Sequence, residues 1–379
     1  MQNLKFYDAF CGIGGMHIAM SQLGHVCVGA CDIDKSCREV YQENFSIKPE
    51  GDITKIEEFP DFDILCGGFP CNSHSNGGKK LGMNDPRGRL FNEIIRIAKL
   101  KNPMYMVLEN VKHIKRIDNG KVFQYIMFEL AKCGYSVKTF DLSPHHLGIP
   151  QNRERVIFIC IRNDIPNPVN EFVIKKREVK FENFLEKDVQ GYNIKPEENE
   201  ILETWDSIIK QFQVGENLSP TILANEFYKV YLPEEFKQLP KWKQEYITKN
   251  RRIYEKYQVK WDTWYNLNRE IIKFKEIFGK LEWQTGLLKP GDTIFNYFVQ
   301  FRQSGIRVKK ADYFPTLVAI VQTPIYAKER RYITPRECAR LQSFPDTFKI
   351  HKTDKIAYKQ FGNAVNVEVI KTVVSQIIC

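Results

Sequence analysis

The sequence predicts an α/β fold, a doubly wound sheet into which a second, smaller domain is inserted. Three observations carry this. From residue 1 to about 165, short apolar runs alternate with amphipathic stretches, the pattern of repeated strand-helix-strand units. Beyond Pro166 strands become hard to pick and charge density rises. After about Tyr332 the first texture returns and ends in an apolar tail, so the division expected is 1–165, 166–331 and 332–379.

Taken in order, the strand candidates are Leu4–Phe10, Val26–Ile33, Phe62–Gly67, Met104–Asn110, Ser136–Asp141 and Val156–Arg162. Between them Met16–Leu23, Lys35–Asn44, Leu90–Leu100 and Phe123–Cys133 space their apolar residues as helices do. Ligands of such a sheet sit at the carboxyl ends of its strands. In the middle segment, basic residues outnumber acidic ones from Lys237 to Lys280, with Trp242, Trp261, Trp264 and Trp283 in or beside the stretch. Two readings stand: amphipathic helices with inward aromatics and solvated lysines, or a direct nucleic-acid surface. The tail Val365–Ile378 reads as a final helix.

Composition narrows the class. The chain has 379 residues, 43% of them hydrophobic, which excludes disorder, and a net charge of +10, which favours an acidic partner such as nucleic acid. No apolar run is long enough to span a bilayer and no secretory leader precedes the first strand, so a cytoplasmic protein is expected. Ten cysteines without paired spacing fit a reducing compartment, and the lack of a CxxC pair argues against structural zinc; no metal is expected.

The first strand ends in Asp8-Ala9-Phe10-Cys11-Gly12-Ile13-Gly14-Gly15, a glycine cluster at a strand-to-helix turn. Glycines there admit a ligand close to the backbone. An aromatic residue ahead of closely set glycines departs from the G-x-G-x-x-G of pyrophosphate sites and suits a sulfonium ligand better. Asp32, ending the second strand, is placed to accept hydrogen bonds from ribose hydroxyls, and Asp52, in Gly51-Asp52-Ile53, from an adenine amino group.

Gly67-Gly68-Phe69-Pro70-Cys71-Asn72 follows a buried strand, which puts Cys71 at the functional edge of the sheet, with a proline constraining its loop and glycines leaving room for a base. The other nine cysteines read as small buried hydrophobes. A thiolate that attacks a substrate ring needs a proton delivered to that ring in the same step. Glu109, in Leu108-Glu109-Asn110-Val111, is placed to donate it. Arg153 and Arg155, in Gln151-Asn152-Arg153-Glu154-Arg155, point to the same side of a strand; they could hold a base carbonyl, orient Glu109, or pair with phosphate.

At this point the residues resemble the DNA cytosine C5-methyltransferases of bacterial restriction-modification type. The resemblance rests on DAFCGIGG, GDIT, GGFPC, the loop Gly78-Lys79 to Asp85-Pro86-Arg87-Gly88-Arg89-Leu90-Phe91, ENV, QNRER, PRECARL and YKQFGNAV, and covers residues 4–165 and 332–379. It implies a Rossmann-like S-adenosylmethionine-dependent methyltransferase domain with an inserted target-recognition domain, acting on double-stranded DNA. By the same resemblance Cys71 adds to C6, Glu109 protonates N3, and Arg153 and Arg155 support a flipped-out base. The cofactor would meet Phe10, Cys11, Gly12, Ile13, Gly14, Gly15, Asp32, Ile33, Asp52, Ile53, Gly68, Pro70, Leu90, Asn363, Ala364 and Val365. The stretch Asn72–Arg89 would close over DNA.

DNA contacts are expected at Asn72, Ser75, Gly77 and Arg87 of that loop, and at Arg302, Ser304, Arg307, Thr316 and Leu317 of the inserted domain. A plain strand pair is the alternative reading of Phe301–Arg307. The chain departs from the usual family pattern at Asn72, where Gln is common, although Asn stands there in the animal de novo enzymes, and at His74, where an aromatic is common. A monomer is expected, with a cognate restriction endonuclease of the same site specificity as its partner. Two rivals are a transfer-RNA methyltransferase, a branch with a much smaller insertion, and a DNA-binding module without catalysis, which would lack one of the site residues.

Overall fold

The computed structural model describes residues 3–70, 90–166, 172–174, 177–178, 180–218, 221–310, 312–315, 317 and 322–378. Six strands build the first sheet: β1 (Lys5–Ala9), β2 (Val26–Cys31), β3 (Ile64–Gly67), β4 (Tyr105–Val111), β5 (Tyr135–Leu142) and β6 (Arg155–Arg162). Their order is β2-β1-β3-β4-β6-β5. The first four run parallel, and β3 and most of β6 read as unbroken apolar runs because the sheet is covered on both faces. Helices α1 (Gly15–Gln22), α2 (Lys35–Phe45), α3 (Leu90–Lys101) and α4 (Lys121–Lys132) supply that cover. Each starts and stops within a few residues of its sequence expectation.

One feature departs from a repeated strand-helix-strand unit. After β5 no crossover helix follows; the chain makes a short turn over Pro144–Leu147 and β6 enters antiparallel to both β4 and β5.

A second unit follows, formed by Glu186–Pro315 and Gln322–Thr334. It contains α5 (Pro196–Ile209), β7 (Ile222–Leu223), α6 (Pro233–Gln238), α7 (Lys241–Lys256), α8 (Gln258–Phe274), β8 (Lys280–Gln284), β9 (Phe298–Arg302), β10 (Gly305–Lys309), β11 (Ile325–Tyr326) and β12 (Arg331–Tyr332). Its sheet order is β12-β11-β9-β10-β8-β7, parallel only between β8 and β10. Trp205, Trp261, Trp264 and Trp283 are buried in its core, and three of their indole N–H groups reach backbone carbonyls of Phe278, Thr204 and Gly286. Within 237–280 the inward-aromatic reading therefore describes Trp261 and Trp264, whereas Trp242 is 60% exposed.

The chain then returns to the first unit with α9 (Pro335–Leu341), α10 (Asp354–Asn363) and α11 (Val367–Ile377), the last capped by Asn366, whose side chain accepts from the Val369 amide. The first unit comprises Met1–Leu185, Thr316–Val321 and Pro335–Cys379. Its border lies later than residue 165, and the reason is local. Val173 exchanges backbone hydrogen bonds with the Gln376 side chain, Arg177 pairs with Glu368 at 3.3 Å, and Arg340 donates to the Leu185 carbonyl, so these residues bind to α9 and α11. No helix among the described residues is long and apolar enough to cross a membrane.

Candidate active site

The turn after β1 is built around two left-handed residues, Phe10 (φ 57°) and Gly12 (φ 54°). That conformation is costly for phenylalanine and marks a backbone held by its surroundings. The holding group is Asp32: one oxygen accepts from the Gly12 amide and the other from the Asp34 amide, both at 2.8 Å. Burial pushes its pKa up, and the two amides pull in the opposite direction. Gly14 and Gly15 serve close packing. A Cβ on Gly14 would lie 2.2 Å from the Phe45 ring, and one on Gly15 would lie 2.5 Å from the Val365 carbonyl oxygen.

This turn opens onto a cavity of about 560 Å³ along the carboxyl edge of the sheet. Phe10, Gly12, Asp32, Ile33, Asp52, Ile53, Gly68, Pro70, Leu90, Asn363 and Ala364 line it. Cys11, Ile13, Gly14, Gly15 and Val365, expected at the cofactor, are not among its lining residues; Ile13 is only 1% exposed and packs behind the wall. Asp52 caps the turn 53–55 by accepting from the Thr54 amide and hydroxyl, and these bonds lower its pKa. At this end the charged lining side chains are the carboxylates Asp32, Asp34 and Asp52, which suit hydroxyl and amino donors or a cationic centre and oppose a phosphate.

Glu109, Arg153 and Arg155 line the cavity too. Glu109 ends β4 and is 8% exposed; its Oε1 lies 2.7 Å from Arg155 Nε. Strand register explains the contact. Arg155 pairs with Val111 across the antiparallel ladder, and Glu109, two residues back on the same face, is its diagonal neighbour. Gly68 leaves the approach open: a Cβ there would sit 3.6 Å from Glu109 Oε2 and 3.4 Å from Val365 Cγ2.

The two arginines, equivalent by sequence, have different surroundings. Arg153 is 3% exposed; Nη1 donates to the Leu317 carbonyl at 2.8 Å, and Nη2 to the carbonyls of Gly362 and Ala364 at 2.9 and 3.0 Å. Its guanidinium binds three segments of the first unit together. Only Arg155 contacts Glu109.

Asn110 was not expected in the site. It is buried, donates from Nδ2 to the Phe69 carbonyl at 2.9 Å and accepts from the Val111 amide, tying the end of β4 to the Phe69-Pro70 segment. A polar residue ending an otherwise apolar strand was the available signal. His113 and Gln360 also line the cavity; Gln360 donates to the Ser36 carbonyl. Cys71, Asn72, His74, Ser75, Gly77, Arg87 and Thr316 lie outside the described residues.

In the second unit Arg302, Ser304 and Arg307, expected at DNA, lie close together. All three surround Glu282, which is 9% exposed: Arg307 Nε lies 2.7 Å and Arg302 Nη1 3.7 Å from its carboxylate, and the Ser304 hydroxyl donates to it at 2.8 Å. Burial of a carboxylate demands such partners, while the two arginine side chains stay 27% and 28% exposed. Leu317 is likewise buried, at 6% exposure. The plain strand pair, β9 with β10, is the observed state of this stretch. Among the described residues no cluster of histidine, cysteine, aspartate or glutamate could hold a metal ion.

A parallel sheet with a reversed strand near one edge, and a carboxylate-lined cavity at its carboxyl edge, define the class first: an α/β fold with its ligand site at the carboxyl ends of the strands. The chain is similar in fold to the Schizosaccharomyces pombe Dnmt2 methyltransferase, with a TM-score of 0.55 at 20% identity over 98% of this chain and 97% of that one. The Entamoeba histolytica methyltransferase EhMeth gives a TM-score of 0.57 at 18% identity over 99% and 98%. The sequence family described as C-5 cytosine-specific DNA methylase matches residues 4–379, and the chain belongs to it.

Among curated relatives, Type II methyltransferase M.HhaI of Haemophilus parahaemolyticus is 30% identical over 98% of this chain and 93% of its own length. M.HpaII of Haemophilus parainfluenzae is 32% identical over 98% and 88%. The enzyme is a DNA (cytosine-5)-methyltransferase of the Type II restriction-modification kind.

Proposed function

We propose that the enzyme methylates C5 of a cytosine flipped out of a specific duplex DNA sequence, through a covalent adduct of Cys71 with C6. The observation that carries this reading is the Glu109–Arg155 pair, 2.7 Å apart in the wall of a cavity that Pro70, the residue before Cys71, also lines. A cytosine in the stack hides C5 and C6, so extrusion, at a cost of a few kcal/mol, is required for any such attack.

In the proposed reaction the Cys71 thiolate adds to C6. The ring's π electrons shift toward N3, which takes a proton from Glu109, and C5 becomes nucleophilic. S-adenosylmethionine, when bound, supplies the electrophilic methyl group that C5 accepts. Loss of the C5 proton to a water molecule acting as base and cleavage of the S–C6 bond restore the aromatic ring and free the thiolate, and N3 returns its proton to Glu109. Phe10, Ile53 and Leu90 offer the cofactor apolar contact, while Asp32 and Asp52 offer acceptors to ribose and adenine. Arg155 orients Glu109 and holds the base carbonyl. Asn110 keeps the Phe69-Pro70 segment, and with it the approach to Cys71, beside the acid.

We assign target recognition to the second unit, and protective methylation alongside an endonuclease of the same specificity to the system, on the strength of relatives named as Type II methyltransferases. A monomer acting in the cytoplasm completes the reading. Cys71→Ser is expected to bind DNA with turnover essentially abolished. Duplex DNA with 5-fluorocytosine at the target is expected to trap a covalent adduct, because fluorine cannot leave as a proton does. Retained methylation by Cys71→Ser would overturn the mechanism, and methyl incorporation into transfer RNA alone would overturn the substrate.

A further inference from the structure

Charge in the second unit is strongly uneven along the chain. Residues 237–280 carry twelve lysines and arginines against five acidic residues, whereas 186–236 carry four against eleven. Part of the basic excess is neutralised locally: Lys237 by Glu234, Lys243 by Glu226, Lys256 by Glu216 and Lys280 by Glu276. On α7, Lys241, Arg251 and Arg252 have no carboxylate within ion-pair distance among the described residues.

Helix geometry gathers two of them. At 100° per residue Lys241 and Arg252 fall about 20° apart around the axis and about 16 Å apart along it, whereas Arg251 falls about 80° away, where its guanidinium lies over the Tyr231 and Phe236 rings and donates to the Lys229 carbonyl. The opposite side of α7 is the packed one, through Ile247 and Ile253. Asn250, 1% exposed, fastens it further: its side chain accepts from the Leu223 amide at 2.8 Å and donates to the Thr221 carbonyl at 2.9 Å. The exposed side of α7 also bears Trp242, 60% exposed, beside Lys241, and two carboxylates, Glu245 and Glu255.

We infer that the outer face of α7 is a backbone-binding surface for duplex DNA, one that grips phosphates without reading bases. The inference rests on the enzyme's action on DNA and adds a binding surface separate from the catalytic cavity. Lys241 and Arg252, in no ion pair among the described residues, fit a polyanion on this rigid helix, because each phosphate they neutralise releases condensed counterions and no flexible segment must first be ordered. About 16 Å of helix covers several successive phosphates of one strand, at 3.4 Å of axial rise each. The flat exposed indole suits contact with sugar or base edge at the rim of such a site.

The test compares the full-length enzyme with Lys241→Gln/Arg252→Gln by measuring affinity for a random-sequence 30-base-pair duplex across salt concentrations. The logarithmic salt slope is expected to fall in magnitude by about 1.8, about 0.9 for each phosphate that is no longer neutralised, and affinity at about 0.1 M salt to weaken about tenfold to a hundredfold. Methylation of genomic DNA at saturating substrate and low salt should stay within about twofold of wild type. Lys241→Arg/Arg252→Lys should restore the slope, and Lys99→Gln/Lys132→Gln, which removes two exposed cations from the first unit, should leave it unchanged. An unchanged slope and affinity in Lys241→Gln/Arg252→Gln, with wild type methylating normally, would overturn this inference alone and point to a protein partner for the face. A wild-type enzyme that neither binds nor methylates duplex DNA would overturn both this inference and the proposed function.

Discussion

Replacing Arg153 with methionine separates a structural role from a chemical one. The wild-type guanidinium donates to three carbonyl oxygens, those of Leu317, Gly362 and Ala364, from a site that is 3% exposed. Hydrogen bonds from a charged donor contribute about 1.5–3 kcal/mol each, so their loss alone sets an upper bound of about 5–9 kcal/mol. Removal of a buried charge returns part of this, since burial opposes the cation and lowers the Arg153 pKa. Among the described residues only Ala364 of the three acceptors keeps another side-chain donor, Gln342 Nε2 at 3.4 Å. The net expectation is a loss of about 3–5 kcal/mol, or roughly 6–20 °C in the melting of the first unit. All five tryptophans lie between residues 205 and 283, inside the second unit. Far-UV circular dichroism should therefore show the early transition while tryptophan fluorescence keeps its wild-type midpoint. An Arg153→Met enzyme that melts like wild type but has lost turnover would refute the structural assignment and put this guanidinium at the substrate.

Arg155→Gln removes the partner of Glu109 while leaving the backbone ladder intact; the rate of a single turnover should fall at least tenfold, with DNA affinity held within about threefold, and a wild-type rate would refute the orienting role. Gly14→Ala places a methyl group 2.2 Å from the Phe45 ring, itself stacked on His17 at 3.9 Å, at a backbone φ of 92°; overpacking plus strain should cost about 1–3 kcal/mol, read by thermal melting. Asp8 is fully buried with neither carboxylate oxygen hydrogen-bonded, and burial, then the nearby Asp32, raises its pKa well above the ordinary 3.8. Between those two values the folded state holds a proton that the unfolded chain releases, so stability falls by about 1.4 kcal/mol per pH unit as pH rises. Asp8→Asn lacks that slope, and its advantage in chemical denaturation should grow from pH 5 to pH 8. Equal advantage at both would refute it.

The periodic part of the fold was legible because it is locally encoded. Parallel strands buried on both faces must be apolar runs, and helices between them must be one-sided, so β1 to β4 with α1 to α4 could be read within a few residues. The direction of β6 was not, since nothing in Val156–Arg162 distinguishes a strand entering from one edge or the other. The first unit runs on past residue 165 because Val173 and Arg177 are held by side chains some two hundred residues away on α11, a contact with no local signature. At the site, residue types and order identified Glu109 and the arginine pair. Which arginine does what depends on the Leu317 and 362–364 carbonyls, which sequence spacing cannot place. The grouping of Arg302, Ser304 and Arg307 around Glu282 was not legible, because that carboxylate lies twenty and more residues earlier and nothing local marks it as buried among them.

The reversed strand is what allows the acid and its cation to meet. Glu109 ends a parallel strand and therefore stands at the carboxyl edge, where the cavity opens. A parallel β6 would begin at the opposite edge, and Arg155, its first residue, would lie a strand length away, about 20 Å for seven residues at 3.3 Å each. Running antiparallel, β6 begins at the functional edge, with Arg155 paired to Val111 and diagonal to Glu109. The short turn after β5 and the Gln151–Glu154 segment thus enter the site because no crossover helix intervenes. Insertion of a helix between β5 and β6 would restore the repeat and remove Arg155 from the acid. The break in the strand-helix-strand pattern is in this sense a requirement of the site, and arginines just ahead of a late strand are its sequence mark.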